Sequence, residues 1–217
     1  MMQVDLVVGG GRYGTKAARY LFTRGIPCII VDPDPGCLAI GIIREMDNGS
    51  FFVHGGLDEA FRIFIQYRPM RLFPTAPVHV AAGLVSVAHR VRESPPGLQP
   101  LLSRIPPDLI QGTNGGSVYL SQNNGWLCIP DCPEPPTCPV TGEPRSIRLS
   151  SELRRLLPEA QVLESLQVAP GLGALRGSDV QVLLAMNTNR EKIVVGTACR
   201  CHGVLTVLEK NTGAGYS

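Results

Sequence analysis

The segment Val4-Asp5-Leu6-Val7-Val8-Gly9-Gly10-Gly11-Arg12-Tyr13-Gly14 constrains this chain more than any other. An apolar run of strand length ends in three glycines, and a helix pattern begins at once. Arg12 to Arg24 sets Ala17, Ala18, Leu21 and Phe22 on one stripe, and Gly25 supplies a stop. The spacing is G-x-G-x-x-G, and each glycine answers a different need. Gly9 permits the tight turn off the strand, Gly11 leaves the backbone open to a pyrophosphate, and Gly14 lets the helix pack on the strand. The free N–H groups and positive dipole end of the helix, with Arg12 and Tyr13 in its first turn, then face the phosphates. A second apolar run, Pro27 to Val31, ends in Asp32, 18 residues after Gly14. A carboxylate there bonds ribose hydroxyls and repels a 2′-phosphate, which favours NAD or another adenine nucleotide over NADP. The competing reading is a glycine-rich turn beside an acidic turn residue.

The alternation continues through the first half. Phe51 to Val53 and Arg71 to Phe73 read as strands, with helices predicted from about Leu57 to Gln66 and from Val78 to Val91. Strands that are apolar throughout and alternate with helices indicate a parallel sheet covered on both faces. The fold class is therefore α/β, a Rossmann-like parallel sheet with helices on both faces. An irregular Cys/Pro-rich α+β region follows it. The character changes at Ser94-Pro95-Pro96-Gly97, which divides the chain into 1–94, a nucleotide-binding domain, and 95–217, a cysteine-containing domain. In the second part Ser150 to Leu157 reads as a helix and Lys192 to Gly196 as a buried strand. Val180 to Met186 suits either state, and Gly203 to Glu209 reads as a short closing helix.

The second chemical feature is sulfur. Cys128, Cys132 and Cys138 fall within 11 residues, in a segment stiffened by Pro130, Pro133, Pro135, Pro136 and Pro139. Three thiols on a rigid loop suit a metal ion, and Cys199-Arg200-Cys201-His202 offers further ligands: Cys201 first, then Cys199 or His202. A helix opening at that point, with Arg200, would lower the thiol pKa values. Four soft donors suit zinc or an iron–sulfur cluster. Free or redox-active thiols and a structural disulfide are the alternatives. Cys28 reads as a core filler, while His54 and His79 sit at the carboxyl ends of strands, where ligands bind in such sheets. His79 is either an acid/base residue or a helix-start histidine.

Composition narrows the function. Twenty basic and 18 acidic residues leave a formal charge of +2, without the electrostatic footprint of a nucleic-acid binder. No run approaches the ~18 apolar residues of a membrane helix, and the N-terminus lacks a signal peptide's basic region. A cytoplasmic protein is expected, with thiols or metal ligands in preference to disulfides.

Val7-Val8-Gly9-Gly10-Gly11-Arg12-Tyr13-Gly14, Asp32 and Phe52-Val53-His54-Gly55 together resemble the KTN/RCK domain, the TrkA-type N-terminal domain of bacterial potassium-uptake regulators. The similarity runs from residue 4 to about 66. It implies NAD, NADH or an adenine nucleotide held as a regulatory ligand, with Gly9, Gly11 and Gly14 at the phosphates and Asp32 at the ribose. The family usually has Gly-Asp-Ala after its third strand, where this chain has Gly55-Gly56-Leu57. The segments from Cys132 to Gly142 and from Thr197 to Gly203 resemble uncharacterised cysteine-containing proteins labelled by that N-terminal similarity. The expected function is thus a nucleotide-binding regulatory or accessory protein with a Cys/His metal site. A membrane transporter or a redox protein would be its partner, and a homodimer its assembly. The alternative is an oxidoreductase that joins a nicotinamide cofactor to a cluster or to reactive thiols.

Overall fold

The computed structural model describes residues 3–123, 125–187 and 191–210. In chain order the elements of the first part are β1 (Asp5–Val8), α1 (Arg12–Phe22), β2 (Cys28–Asp32), α2 (Ile40–Glu45), β3 (Phe51–His54), α3 (Leu57–Tyr67), β4 (Arg71–Pro74), α4 (Val80–His89) and β5 (Val91–Glu93). Then come α5 (Pro95–Leu102), β6 (Ile110–Asn114), β7 (Ser117–Ser121), α6 (Leu149–Leu156), β8 (Gln161–Glu164), β9 (Leu166–Ala169) and β10 (Leu172–Arg176). The last elements are α7 (Gly177–Leu184), β11 (Lys192–Ala198) and β12 (His202–Lys210). The fold class is α/β, built on two mixed sheets.

The first sheet has the order β3-β2-β1-β4-β10-β9. Its first four strands are parallel, with Val7 opposite Ile30 and Phe73. The antiparallel pair β9–β10, contributed by the second half of the chain, extends the edge at β4. Alternate residues along the strands enter separate cores, as the two-residue period of a strand requires. Leu6, Val8, Ile29 and Val31 pack with Phe64 of α3 and Leu84 of α4. Val7, Ile30 and Phe73 pack with Ala17 and Leu21 of α1 and Ile43 of α2. Asp5 is the buried exception in β1. Its carboxylate accepts bonds from Arg71 Nε (2.9 Å), Nη2 (2.5 Å) and the Arg71 amide (3.0 Å).

The second sheet has the order β6-β7-β12-β11-β8, with β5 also pairing with β12. Val195 and Leu208 of this sheet join the core of α4, while Val118, Val162 and Leu205 pack with Leu98 of α5 and Leu153 of α6. β12 replaces the helix predicted over 203–209. Val204, Thr206 and Val207 are β-branched, which favours a strand, and the run Leu205 to Leu208 is buried throughout. A helix would have exposed one side of that run. The ambiguous stretch at 180–186 is helical through Leu184. Both sheets draw strands from each side of residue 94, through β9–β10 in the first and β5 in the second. No helix among the described residues is long and apolar enough to cross a membrane.

Candidate metal centre and glycine loop

The glycine loop leaves β1 at its carboxyl end, where the strand order reverses between β1 and β4 and ligands bind in sheets of this kind. Gly9 has φ +104°, and a Cβ on it would lie 2.5 Å from the Ala76 nitrogen. A Cβ on Gly14 would lie 1.9 Å from the Gly9 oxygen, so the helix must start with glycine to sit this close. Gly10 is also constrained, by the buried Cys37, whose Sγ lies 2.2 Å from a Cβ placed there, a role that its place in the glycine spacing does not signal. Gly11 is different: a Cβ on it meets nothing within 4 Å. Gly11 is also the N-cap of α1, so its position supplies no capping side chain for the first N–H groups of that helix.

Asp32 ends β2 as expected, but its carboxylate braces the loop. Oδ2 accepts the Gly10 N–H at 2.5 Å and Oδ1 the Asp34 N–H at 2.7 Å. The following turn folds back, with the Ala39 N–H bonded to the Gly10 carbonyl at 2.9 Å.

Cys199 to His202 form the turn of the β11–β12 hairpin, beyond the Ala198–Gly203 pair. The Cys199 N–H donates to the His202 carbonyl (2.9 Å). The turn is held from outside by the Leu149 amide on the Arg200 carbonyl (2.7 Å) and the Gln122 amide on the Cys201 carbonyl (2.9 Å). The ligand atoms of Cys199, Cys201 and His202 lie within 4.8 Å of one another. The helix expected to open here is absent, so no dipole acts on these thiols. The Cys199 thiol is instead pulled well below its ordinary pKa by the hydrogen bond from Cys201, against burial, with His202 and Glu134 assisting. The same bond and burial push Cys201 up.

The cysteine loop runs from Gln122 to Arg148, with a single isolated bridge, Thr137–Pro144, among its described residues. It is docked on the first sheet. Lys16 of α1 pairs with Asp131 and donates to the Pro170 carbonyl (2.6 Å). The Gln167 side chain and the Gly171 amide hold the Cys132 carbonyl at 2.7 and 3.2 Å. Asp131 and Glu134 take left-handed backbone angles (φ 54° and 50°), which aim the chain between the cysteines. Cys138 is buried, with Sγ 3.6 Å from Asn123 Oδ1. Burial raises its pKa, but the N–H groups of Thr141 and Val140, the Thr141 hydroxyl and Arg145 outweigh that and bring it to about 7. Glu134, absent from the sequence-derived ligand set, is pushed up to about 7 by burial and the charge of Cys199. Its position between Cys132 and Cys138 was the available signal.

One cleft of about 450 Å³ brings part of the cysteine constellation beside the first turn of α1. Cys128, Cys132, Cys199, Cys201 and His202 line it together with Arg12 and Tyr13 from the first turn of α1. Cys138, Gly9, Gly11, Gly14 and Asp32 are not part of this lining. A neighbouring cleft of about 470 Å³ shares Ser165, Cys199 and His202 and contains His79. His79 is the N-cap residue of α4, and its ring nitrogens meet Thr206 Oγ1 (2.7 Å) and Thr197 Oγ1 (3.3 Å). Burial lowers its pKa to about 3. His54 bonds the Pro33 carbonyl (2.9 Å), and Cys28 is core, as expected. Trp126 is 67% exposed.

With this geometry established, residues 4–80 match the family model AF_1314_N, described as "Uncharacterized protein, N-terminal domain". Residues 81–211 match AF_1314_C, "Uncharacterized protein, C-terminal domain". The chain belongs to the AF_1314 family. A relative from Archaeoglobus fulgidus, described as "Uncharacterized protein", is 36% identical over 215 residues, covering 95% of this chain and 100% of its own length. This overturns the KTN/RCK resemblance: no KTN/RCK or TrkA family model is found, and the AF_1314 models account for both parts of the chain. The glycine spacing, Asp32 and the strand pattern that carried that resemblance are general to nucleotide-binding α/β sheets. The two AF_1314 models thus cover the glycine loop, within 4–80, and the cysteine segments, within 81–211, of this chain.

Proposed function

We propose that this chain is a metal-binding protein whose centre lies at Cys199, Cys201 and His202, completed by a cysteine of the 128–138 loop. A nucleotide is its second ligand. The observation that carries this reading is the shared cleft: a thiolate- and imidazole-lined wall stands opposite the first turn of the glycine-loop helix. Soft sulfur donors and one imidazole select zinc or an iron–sulfur cluster over hard cations. The uncapped N–H groups of α1 and the Arg12 guanidinium favour a phosphate-bearing ligand, NAD(H) or another adenine nucleotide. The open space at Gly11 is consistent with that approach.

A nucleotide and a metal centre in one cleft favour an oxidoreductase over a regulator whose two sites work apart. Electron exchange needs the two groups close, whereas regulation does not. A cytoplasmic location belongs to the same reading, because it keeps the thiols reduced. The test is metal analysis and ultraviolet–visible absorption of anaerobically purified protein, followed by NADH titration. Stoichiometric metal, and NADH binding that Gly11→Val abolishes, are the expected results. Less than ~0.2 metal equivalents, with stability indifferent to chelators, would replace the metal reading with free thiols.

A further inference from the structure

His79 has no part in the metal centre, yet its setting points to an occupant of its own. The segment Ala76-Pro77-Val78-His79 joins β4 to α4 at the carboxyl end of the first sheet, beside the reversal of strand order between β1 and β4 where ligands bind. It is anchored on the glycine loop: Thr75 Oγ1 donates to the Gly9 carbonyl (2.7 Å), and a Cβ on Gly9 would meet Ala76. All four residues also line the cleft of about 470 Å³. Ser165, Cys199 and His202 belong to this cleft and to the metal-site cleft alike, so a molecule held here lies beside the proposed centre.

The lining selects the kind of molecule. No Asp, Glu, Lys or Arg is among its described residues, so an ion entering it would lose hydration without gaining a carboxylate, ammonium or guanidinium partner. Pro77, Val78 and Val204 supply apolar surface, and His79, Tyr119 and Thr197 supply neutral polar groups. The His79 ring is fixed from behind. Nδ1 lies 2.7 Å from Thr206 Oγ1, which lies 2.6 Å from Ser117 Oγ, and both of these residues are buried. Nε2 meets Thr197 Oγ1 at 3.3 Å, just beyond the usual range, which leaves it capacity for a stronger partner. Burial holds the ring neutral, with one nitrogen a donor and the other an acceptor. The Thr206 and Ser117 hydroxyls can each turn, so either ring nitrogen can carry the hydrogen. Nε2 can therefore donate to a carbonyl or accept from a hydroxyl.

We propose that this cleft is a substrate pocket for a small, uncharged alcohol or carbonyl compound, whose oxygen is bound by His79 Nε2. Its role as a substrate pocket rests on the oxidoreductase reading above, whereas its capacity to hold such a compound does not.

The test is nuclear magnetic resonance of the whole chain with ¹⁵N-labelled histidine rings, the His79 signals being those missing in His79→Gln. The probes are cyclohexanone and cyclohexanol, set against cyclohexanecarboxylate and cyclohexylammonium, all at millimolar concentration. Both neutral probes should move the His79 Nε2 resonance to saturation, and the charged pair should bind at least about tenfold more weakly. Val204→Trp, which fills the apolar side of the cleft, should abolish the response. A His79 signal that neither neutral probe moves overturns the pocket, as does an unchanged response in Val204→Trp. Equal binding of a charged probe overturns the substrate class. Metal analysis of the same sample separates the two readings: metal-loaded protein that binds no probe removes the pocket alone, and metal-free protein that binds the neutral probes removes the metal centre alone.

Discussion

Lys16 on the glycine-loop helix reaches across 115 positions of sequence to pair with Asp131, immediately before Cys132. One turn of α1 thus separates the residues facing the cleft, Arg12 and Tyr13, from the residue that holds the cysteine loop. The pair is partly exposed, so it is worth about 1 kcal/mol or less as a salt bridge. Its weight is positional, because the same ammonium also bonds the Pro170 carbonyl.

Lys16→Met should therefore leave global stability nearly unchanged, with a melting shift of about 2–4 °C at most. Proteolysis between residues 122 and 148 should become faster, and metal affinity should fall several-fold. Limited proteolysis and metal titration of the variant check this, and unchanged cleavage would remove Lys16 as the loop's anchor.

Cys199→Ser should reduce metal content and lower the melting temperature, whereas Cys28→Ala should spare the metal. Cys28 lies in β2 with its side chain in the core, so its removal costs only packing, on the order of 1 kcal/mol. Elemental analysis of the two variants side by side separates ligand loss from core damage.

The loop glycines should part company. Gly10→Ala sets a methyl group against Cys37 and should destabilise the fold by about 1–3 kcal/mol. Gly11→Ala should fold normally and weaken NADH binding. Denaturant melts and calorimetric titration give the two readouts, and a destabilised Gly11→Ala would mean that this position serves the fold.

His79 should impose a pH dependence on stability. Its folded pKa, about 3, lies below the ordinary 6.5 because burial penalises the imidazolium. The unfolded chain therefore binds more protons between these values. The stabilisation is fully present above pH 6.5 and is lost as pH falls toward 3, on the order of 5 kcal/mol in all. His79→Gln should flatten the denaturation midpoint between pH 6.5 and 4 relative to the unaltered protein. Identical slopes would sink the assignment.

Asp5→Ala should cost about 3–5 kcal/mol, because it strands the Arg71 guanidinium against the amino ends of β1 and β4. Chemical denaturation measures this directly. A loss below about 1 kcal/mol would show that water replaces the carboxylate without penalty.

The first half was legible because its signals are local. Continuous apolar runs mark β1 and β2, and glycines mark the start and end of α1. β12 was misread because Val204 to Leu208 is apolar but for Thr206, and periodicity cannot separate a central strand from a buried helix in so short a run. Its pairing with the adjacent β11 and with β5 and β7, which lie far away in sequence, settles the matter. The cysteines were legible as ligands from clustering alone. What sequence could not reveal is that Cys199 and Cys201 sit on a hairpin turn, that Glu134 stands among them, or that Arg12 and Tyr13 share their cleft. Each depends on how the two sheets are set against each other.

The arrangement of strands also has a kinetic side. β12 is central to the second sheet yet last in the described chain, and its register joins Leu208 to Glu93 and Lys210 to Val91. In the first sheet β4 borders β10, with Leu72 opposite Leu175. Pairings separated by more than a hundred residues carry a large loop-closure cost that must be met before contacts compensate it. Residues 1–94 on their own would leave the β4 edge unpaired and the apolar surface of α4 without its covering sheet. The chain should consequently fold slowly and as one cooperative unit, with both sheets closing in the same event.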